Sequence, residues 1–575
     1  MKKKIIPVLL AVVLIFIIAA VAFGGKILER YSYSRERADL NAYFGITQEN
    51  EIAIVLQNEL IEEKAKLIDA TCYFDLATVE KYFTDRFYVN CDEQVLLYTT
   101  ADDVIQINIG DDSDVIYVSE VGNSIDYKAA LYEGDTLYIA ADYIKRYVNF
   151  SYSLYDAPLH MQVYTQWDVV KEAAVTKNTS IRYQGGIKSD ILKDLQEGDK
   201  VTILEEMENW SKVKSEDAYI GYVENKLLGT QKDVQQMPVT GALDVVINSV
   251  KKEGTINMVF HQVFAETTGN ELQKALKPTK GVNVVSPTWY RLTDSQGNFS
   301  SVATSSYVEK AHEMGIDVWA LITDVDTKDL YGVDVDFYTL FASTENRRRL
   351  INGLMHQVDT YGLDGINIDF EKVKSDSGTH FVQFLRELSI ETRKRGVVLS
   401  VDNYVPTEYT AHYNRKEQGL VVDYVVIMGY DEYYAGCGEA GPNASINYVE
   451  NGIIKTKENV PAEKIINAVP FYTRVWESSS DGPKASTLIM SAQSDWVNKT
   501  GATPVWSDEY CQNYVEYQSG SGNTVQCWLE DVESIQVKLQ VMKAQGIAGV
   551  AAWKLGLEDT AVWDVMEQYT NGILP

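Results

Sequence analysis

Cysteine is scarce in this chain, with five in 575 residues. That excludes a disulfide scaffold, where bridges stand in for a hydrophobic core. Cys72/Cys91 and Cys511/Cys527 lie near enough in sequence to pair, leaving Cys437 over; buried free thiols are the alternative. Positive charge is also short: 52 Lys and Arg against 82 Asp and Glu give a net charge of −30. Nucleic acid is thereby excluded as a partner, because phosphate binding needs clustered basic residues. No nucleotide-sugar motif is visible. Apolar residues, in contrast, make up 45% of the chain, enough for real cores. Aromatics reach 11%, with 37 Tyr and 10 Trp. They fit strand-rich cores, and some fit platforms on which sugar rings stack.

One long apolar run stands at the start. "MKKK" precedes Ile5–Phe23, which carries no charge. Its length approaches the roughly 20 residues needed to span a bilayer and exceeds the roughly 7–15 of a cleaved signal peptide. Residues 1–25 therefore read as an N-terminal transmembrane anchor through residues 5–23, with the rest of the chain extracytoplasmic. Ala20-Val21-Ala22 offers a cleavage pattern that would instead release a secreted protein.

Residues 26–170 read as an α+β module with a weak internal repeat. "CYFDLATVEKYF" from Cys72 and "LYIAADYIKRYV" from Leu137 each predict a strand and a short helix, followed by two strands. Residues 172–230 predict short strands with turn signals. Their "GDKVTIL", "WSKV" and "GYV" pattern resembles a bacterial SH3-type domain, a small all-β barrel. Such modules bind cell-wall peptides or simply space domains. Residues 231–244 read as a polar linker.

From residue 245 to 575 apolar runs alternate with helical stretches. The runs are 256–264, 282–287, 317–322, 364–370, 397–402, 424–430, 465–471 and 549–553. Eight buried strands alternating with helices predict a (β/α)8 TIM barrel. An insertion is expected near 478–531.

The fourth run, "LDGINIDFEKV", is unusual. In a strand, Asn367, Asp369 and Glu371 share one face, and Ile366, Ile368 and Phe370 the other. In a parallel barrel the apolar set packs on helices, so the polar set faces the interior. Two neighbouring carboxylates there raise each other's pKa, and desolvation adds to the effect, keeping one protonated near neutral pH as a general acid must be. An ordinary exposed acidic strand end is the alternative on periodicity alone.

Asp364-Gly365-Ile366-Asn367-Ile368-Asp369-Phe370-Glu371 resembles the strand-four signature of glycoside hydrolase family 18, with Asn367 where the family has Asp. "MGYDEYY" (428–434), "VPFYTRVW" (469–476) and "AAWKLG" (551–556) resemble its strands six, seven and eight. Asn367 and "AGPNAS" (440–445) are similar to the spore-germination and cortical-fragment hydrolase branch. The resemblance implies a retaining, substrate-assisted glycosidase. It implies Glu371 as general acid and base, and Asp369 and Tyr430 as binders of the substrate's acetamido group. Asp431 would hold the distorted sugar and Trp553 would lie under it. Met428, Tyr472, Arg474 and Trp289 would line the cleft. Asn367 can donate to Asp369 but cannot take up its charge, which predicts a shifted pH profile. No metal or cofactor is implied. The expected substrate is an N-acetylglucosamine-containing polysaccharide, peptidoglycan or a chitin-like chain; a non-catalytic, lectin-like wall protein is the rival reading.

Overall fold

The computed structural model of the chain describes residues 10–18, 29–243 and 245–574. Residues 10–18 are helical with exposed apolar side chains; the remainder of the apolar run 5–23 lies outside the described residues. Among the described residues no helix is long and apolar enough to cross a membrane. Two compact units follow, one from most of the chain up to residue 243 and one from residue 245 onward.

In the first unit the two repeat segments have one element order and different pairing. Strand Thr71–Asp75 leads into helix Leu76–Tyr82, then strands Tyr88–Asn90 and Val95–Thr99. Strand Thr136–Ala140 leads into helix Ala141–Ile144, then strands Ser151–Tyr155 and His160–Tyr164. The two leading strands pair antiparallel. The second copy's last two strands join the same seven-stranded sheet, while the first copy's belong to a separate five-stranded sheet. The helices differ in length because Asp75 caps the first by accepting from the Thr78 N–H at 3.0 Å, whereas Ala140 gives the second no such cap. Between Val169 and Gln235 seven further strands form one antiparallel sheet. Alternation turns Val201, Ile203, Val213 and Val223 into its core. Neither Cys72/Cys91 nor Cys511/Cys527 forms a disulfide.

The second unit is a closed barrel of eight parallel strands. They are β1 (Ile256–His261), β2 (Val284–Pro287), β3 (Asp317–Thr323), β4 (Gly365–Asp369), β5 (Val398–Tyr404), β6 (Tyr424–Met428), β7 (Ile465–Pro470) and β8 (Gly549–Trp553). Each pairs with the next, and β8 pairs back to β1. Alternation divides every strand. Ile366, Ile368 and Phe370 pack outward among the helices, while Trp319, Leu321, Val426 and Ala551 fill the interior. Gly365 opens β4 because a Cβ there would lie 2.8 Å from the Trp319 ring. Asp364, the first acid of the motif, works at the opposite end of β4 from Glu371. Its carboxylate accepts from the Val318 N–H at 2.8 Å and bonds His312 at 2.7 Å, tying β4 to β3.

Between β7 and β8 the chain builds a five-stranded sheet from Tyr472–Ser479, Gly482–Ile489, Val505–Ser507, Gln512–Gln518 and Thr524–Trp528, with helix Met490–Thr500. It begins at Tyr472, directly after β7. Glu530 fastens it: its side chain takes bonds from Gln512 (2.6 Å), Ser534 (3.1 Å) and Lys538 (3.0 Å), all buried.

Candidate active site

The C-terminal ends of the barrel strands surround a pocket of about 550 Å³. Asp369, Glu371, Met428, Tyr430, Asp431, Tyr472 and Trp553 line it. These seven come from β4, β6, β7, β8 and the turns just beyond, where the strands' carboxyl ends meet.

Asp369 is the last residue of β4, and Glu371 lies one pleat further on. Burial, with Glu371 as neighbour, pushes the Asp369 carboxyl well above the usual carboxylate range. Burial raises the Glu371 pKa as well, while a hydrogen bond from Tyr404 to its Oε2, at 2.5 Å, pulls the other way. The Glu371 backbone N–H donates to Asp324 at 2.7 Å, which fixes the turn that aims the glutamate. Asp324 is itself buried, and burial lifts its pKa to about 6. One carboxyl of this group therefore holds a proton at neutral pH next to an open cavity, the state required for proton donation to a leaving group.

Asn367 lies beneath the pocket, fully buried, and does not line it. Its amide donates to Ser400 at 2.9 Å and Asp402 at 2.8 Å rather than to Asp369. The reason is register: the β4–β5 ladder sets Asn367 opposite Ser400. Asp402 carries the carboxyl nearest to that amide, and burial raises its pKa to about 8.

Tyr430 follows Gly429, where a Cβ would come 2.8 Å from the Asn467 side chain and force the turn away from β7. Burial holds the Tyr430 hydroxyl protonated, as a donor. Asp431 sits at φ 57°, a left-handed conformation unfavourable for a residue with a Cβ. Tyr472 holds its carboxylate at 2.8 Å and Arg474 bonds the same oxygen. Arg474 thus orients Asp431 instead of lining the pocket. The "AGPNAS" segment supports this wall: Asn443 donates to the Tyr472 carbonyl at 3.0 Å, and Ser445 caps helix Ile446–Lys457, whose Tyr448 reaches the pocket. Trp553 faces the cavity, its back against Phe260 at 5.5 Å.

Trp289 is not part of the site. It is 1% exposed and packs edge-on against Tyr307 at 4.8 Å, because the chain after β2 turns it outward into the helix layer. Several pocket residues were not singled out from the sequence: Asp402, Tyr404, Tyr448, Gln262 and Arg291. Ser400, Asp402 and Tyr404 alternate along "VVLSVDNY", so the polar period on β5 is a signal for two of them.

A closed parallel barrel with paired carboxyls at the end of one strand, over an aromatic floor, defines a barrel glycosidase by class. Residues 284–558 match glycosyl hydrolases family 18, and residues 177–229 match the bacterial SH3 domain. The chain is thus similar to a family 18 domain over residues 284–558, preceded by a stretch similar to a bacterial SH3 domain over residues 177–229. It is 32% identical over 216 residues to YdhD of Bacillus subtilis, a candidate sporulation-specific glycosylase, covering 37% of this chain and 51% of that one. It is 28% identical over 234 residues to a cortical fragment-lytic enzyme of Bacillus anthracis, covering 39% and 54%. The chain thus spans about half the length of these two relatives. The C-terminal domain of a chitinase candidate from Desulfitobacterium hafniense has the same fold, at TM-score 0.50 and 20% identity over 56% of this chain and all of that one.

Proposed function

We propose that the barrel hydrolyses β-linked N-acetylglucosamine glycosidic bonds, with peptidoglycan as substrate and retention of configuration. The observation that carries the reading is the Asp369–Glu371 pair, buried, proton-holding and open to a cavity floored by Trp553. Glu371 gives its proton to the glycosidic oxygen as the C1–O bond breaks. The carbonyl oxygen of the substrate's own 2-acetamido group attacks C1, forming an oxazolinium ion. Asp369 accepts from the acetamido N–H and orients the group. The Tyr430 hydroxyl donates to the acetamido oxygen, and Asp431 holds the distorted ring on Trp553. Glu371 then takes a proton from water, which attacks C1 and reopens the oxazolinium ring.

The apolar run 5–23 and the wall-type SH3 domain support a location outside the cytoplasm, attached to the membrane and facing the cell wall. The cortical fragment-lytic relatives favour peptidoglycan over chitin. The test is reducing-end release from purified peptidoglycan by the full chain, with product masses recorded. Release with N-acetylglucosamine at the new end is expected, and Glu371→Gln should lower it by about 10²–10⁴-fold. Cleavage of chitin oligosaccharides alone would make the protein a chitinase. Wall binding without release from either glycan would make it a lectin.

A further inference from the structure

Arg291 is the sole Lys or Arg among the described residues lining the pocket. It lies on strand Tyr290–Leu292, which pairs with the end of β3, and is only 5% exposed. Nη1 donates to the Thr288 carbonyl at 3.1 Å and Nη2 reaches the Val263 carbonyl at 3.5 Å. Nε is buried without a partner. Asp326, which lines the same pocket, acts on its charge through space without a hydrogen bond. On the outer side the guanidinium lies 5.7 Å from the exposed Phe264 ring. A second cation stands behind this wall. Lys554, next to Trp553, is half-buried and donates to Gln262, which lines the pocket beside Arg291.

The pocket is therefore polarised. Asp326, Asp369, Glu371, Asp402 and Asp431 line it from β3 through β6, and the β1–β2–β8 side carries the two cations. A buried guanidinium is costly unless an anion completes it. A neutral N-acetylhexosamine chain offers none. The planar guanidinium fits one partner in particular, a carboxylate.

We infer that Arg291, backed by Lys554 through Gln262, forms a subsite for a carboxylate carried by a sugar of the bound glycan, next to the N-acetylhexosamine cleaved at Glu371. The inference rests on the hydrolase reading above and narrows it to glycans in which an N-acetylhexosamine alternates with an acidic sugar. Two sources share that chemistry: the 3-O-lactyl ether of muramic acid where no stem peptide occupies its carboxyl, and a uronic acid.

The test uses the full chain and three oligosaccharides: N-acetylglucosamine alternating with N-acetylmuramic acid, the same chain with its lactyl carboxyls reduced to alcohols, and N-acetylglucosamine alternating with glucuronic acid. The muramic chain should exceed its reduced form in kcat/KM by about tenfold, the worth of a charge-assisted bond. In Arg291→Gln that ratio should fall to about one, and in Arg291→Lys it should be intermediate. Preference for the glucuronic chain, lost in the same way, would support the subsite and assign it to a uronate. A wild-type ratio of one, or a ratio untouched by Arg291→Gln, overturns the inference while leaving the hydrolase standing. Calorimetric Kd values on Glu371→Gln give the same ratio without turnover. If the wild type cleaves nothing, the hydrolase fails, and the Kd ratio still decides for or against the carboxylate subsite.

Discussion

The side-chain amide of Asn367 donates to a carboxyl oxygen of Asp402 at 2.8 Å, across two neighbouring barrel strands. Burial is the main cause of the raised pKa of both Asp369 and Asp402; Glu371 adds to both through space, and Asp402 adds to Asp369. The site thus keeps a third buried acid beside the Asp369–Glu371 pair, on β5, with a neutral amide at position 367.

Asn367→Asp adds a negative charge under Asp369. Like charges raise the pKa of their neighbours. The alkaline limb of the pH–rate profile should move up by about one unit. A limb that stays in place would mean position 367 does not tune the acid.

Tyr404→Phe removes the 2.5 Å bond that favours the ionised form of Glu371. The glutamate then holds its proton to higher pH. We expect the alkaline limb to rise by about one unit, with kcat altered more than KM. An unchanged limb with a raised KM would place Tyr404 on the substrate instead of the acid.

Folding stability should fall as pH rises. Burial raises Asp324 and Asp423 to about 6 and Asp402 to about 8. Raised carboxyls bind protons more tightly folded than unfolded. Their contribution is complete below about pH 4, the unfolded value, and is lost as pH climbs through 6 to 8. Each group costs up to about 1.4 kcal/mol per pH unit in that window. Urea denaturation at pH 5 and pH 8 measures it, and Asp402→Asn should flatten the upper part of the decline.

Lys538→Met removes the cation from a buried pair in which both partners are about 1% exposed or less. The expected loss is about 3–5 kcal/mol. Because Glu530 also holds Gln512 of the inserted sheet, proteolysis within 505–528 should accelerate. A loss under about 1 kcal/mol would mean that the glutamate simply takes up a proton.

Much of this was legible in the sequence because periodicity is a local property. The period of two along 364–371 separates Ile366, Ile368 and Phe370 from Asn367, Asp369 and Glu371, and apolar runs at barrel spacing identify the eight strands. The motif segments at 428–434, 469–476 and 551–556 likewise carry Tyr430, Tyr472 and Trp553 to one pocket. Register is different, since it depends on which residues meet across strands far apart in the chain. It sent the Asn367 amide to Ser400 and Asp402, turned Trp289 into the helix layer, and made Arg474 a holder of Asp431. The buried guanidinium of Arg291 in an otherwise acidic pocket is of the same kind. The chain by itself determined the elements, their apolar faces and the acids on β4, because side-chain alternation and burial act within a few residues. Only the closed barrel decided which polar groups found partners and which were left for a ligand, because closure alone brings the ends of eight strands within hydrogen-bonding reach.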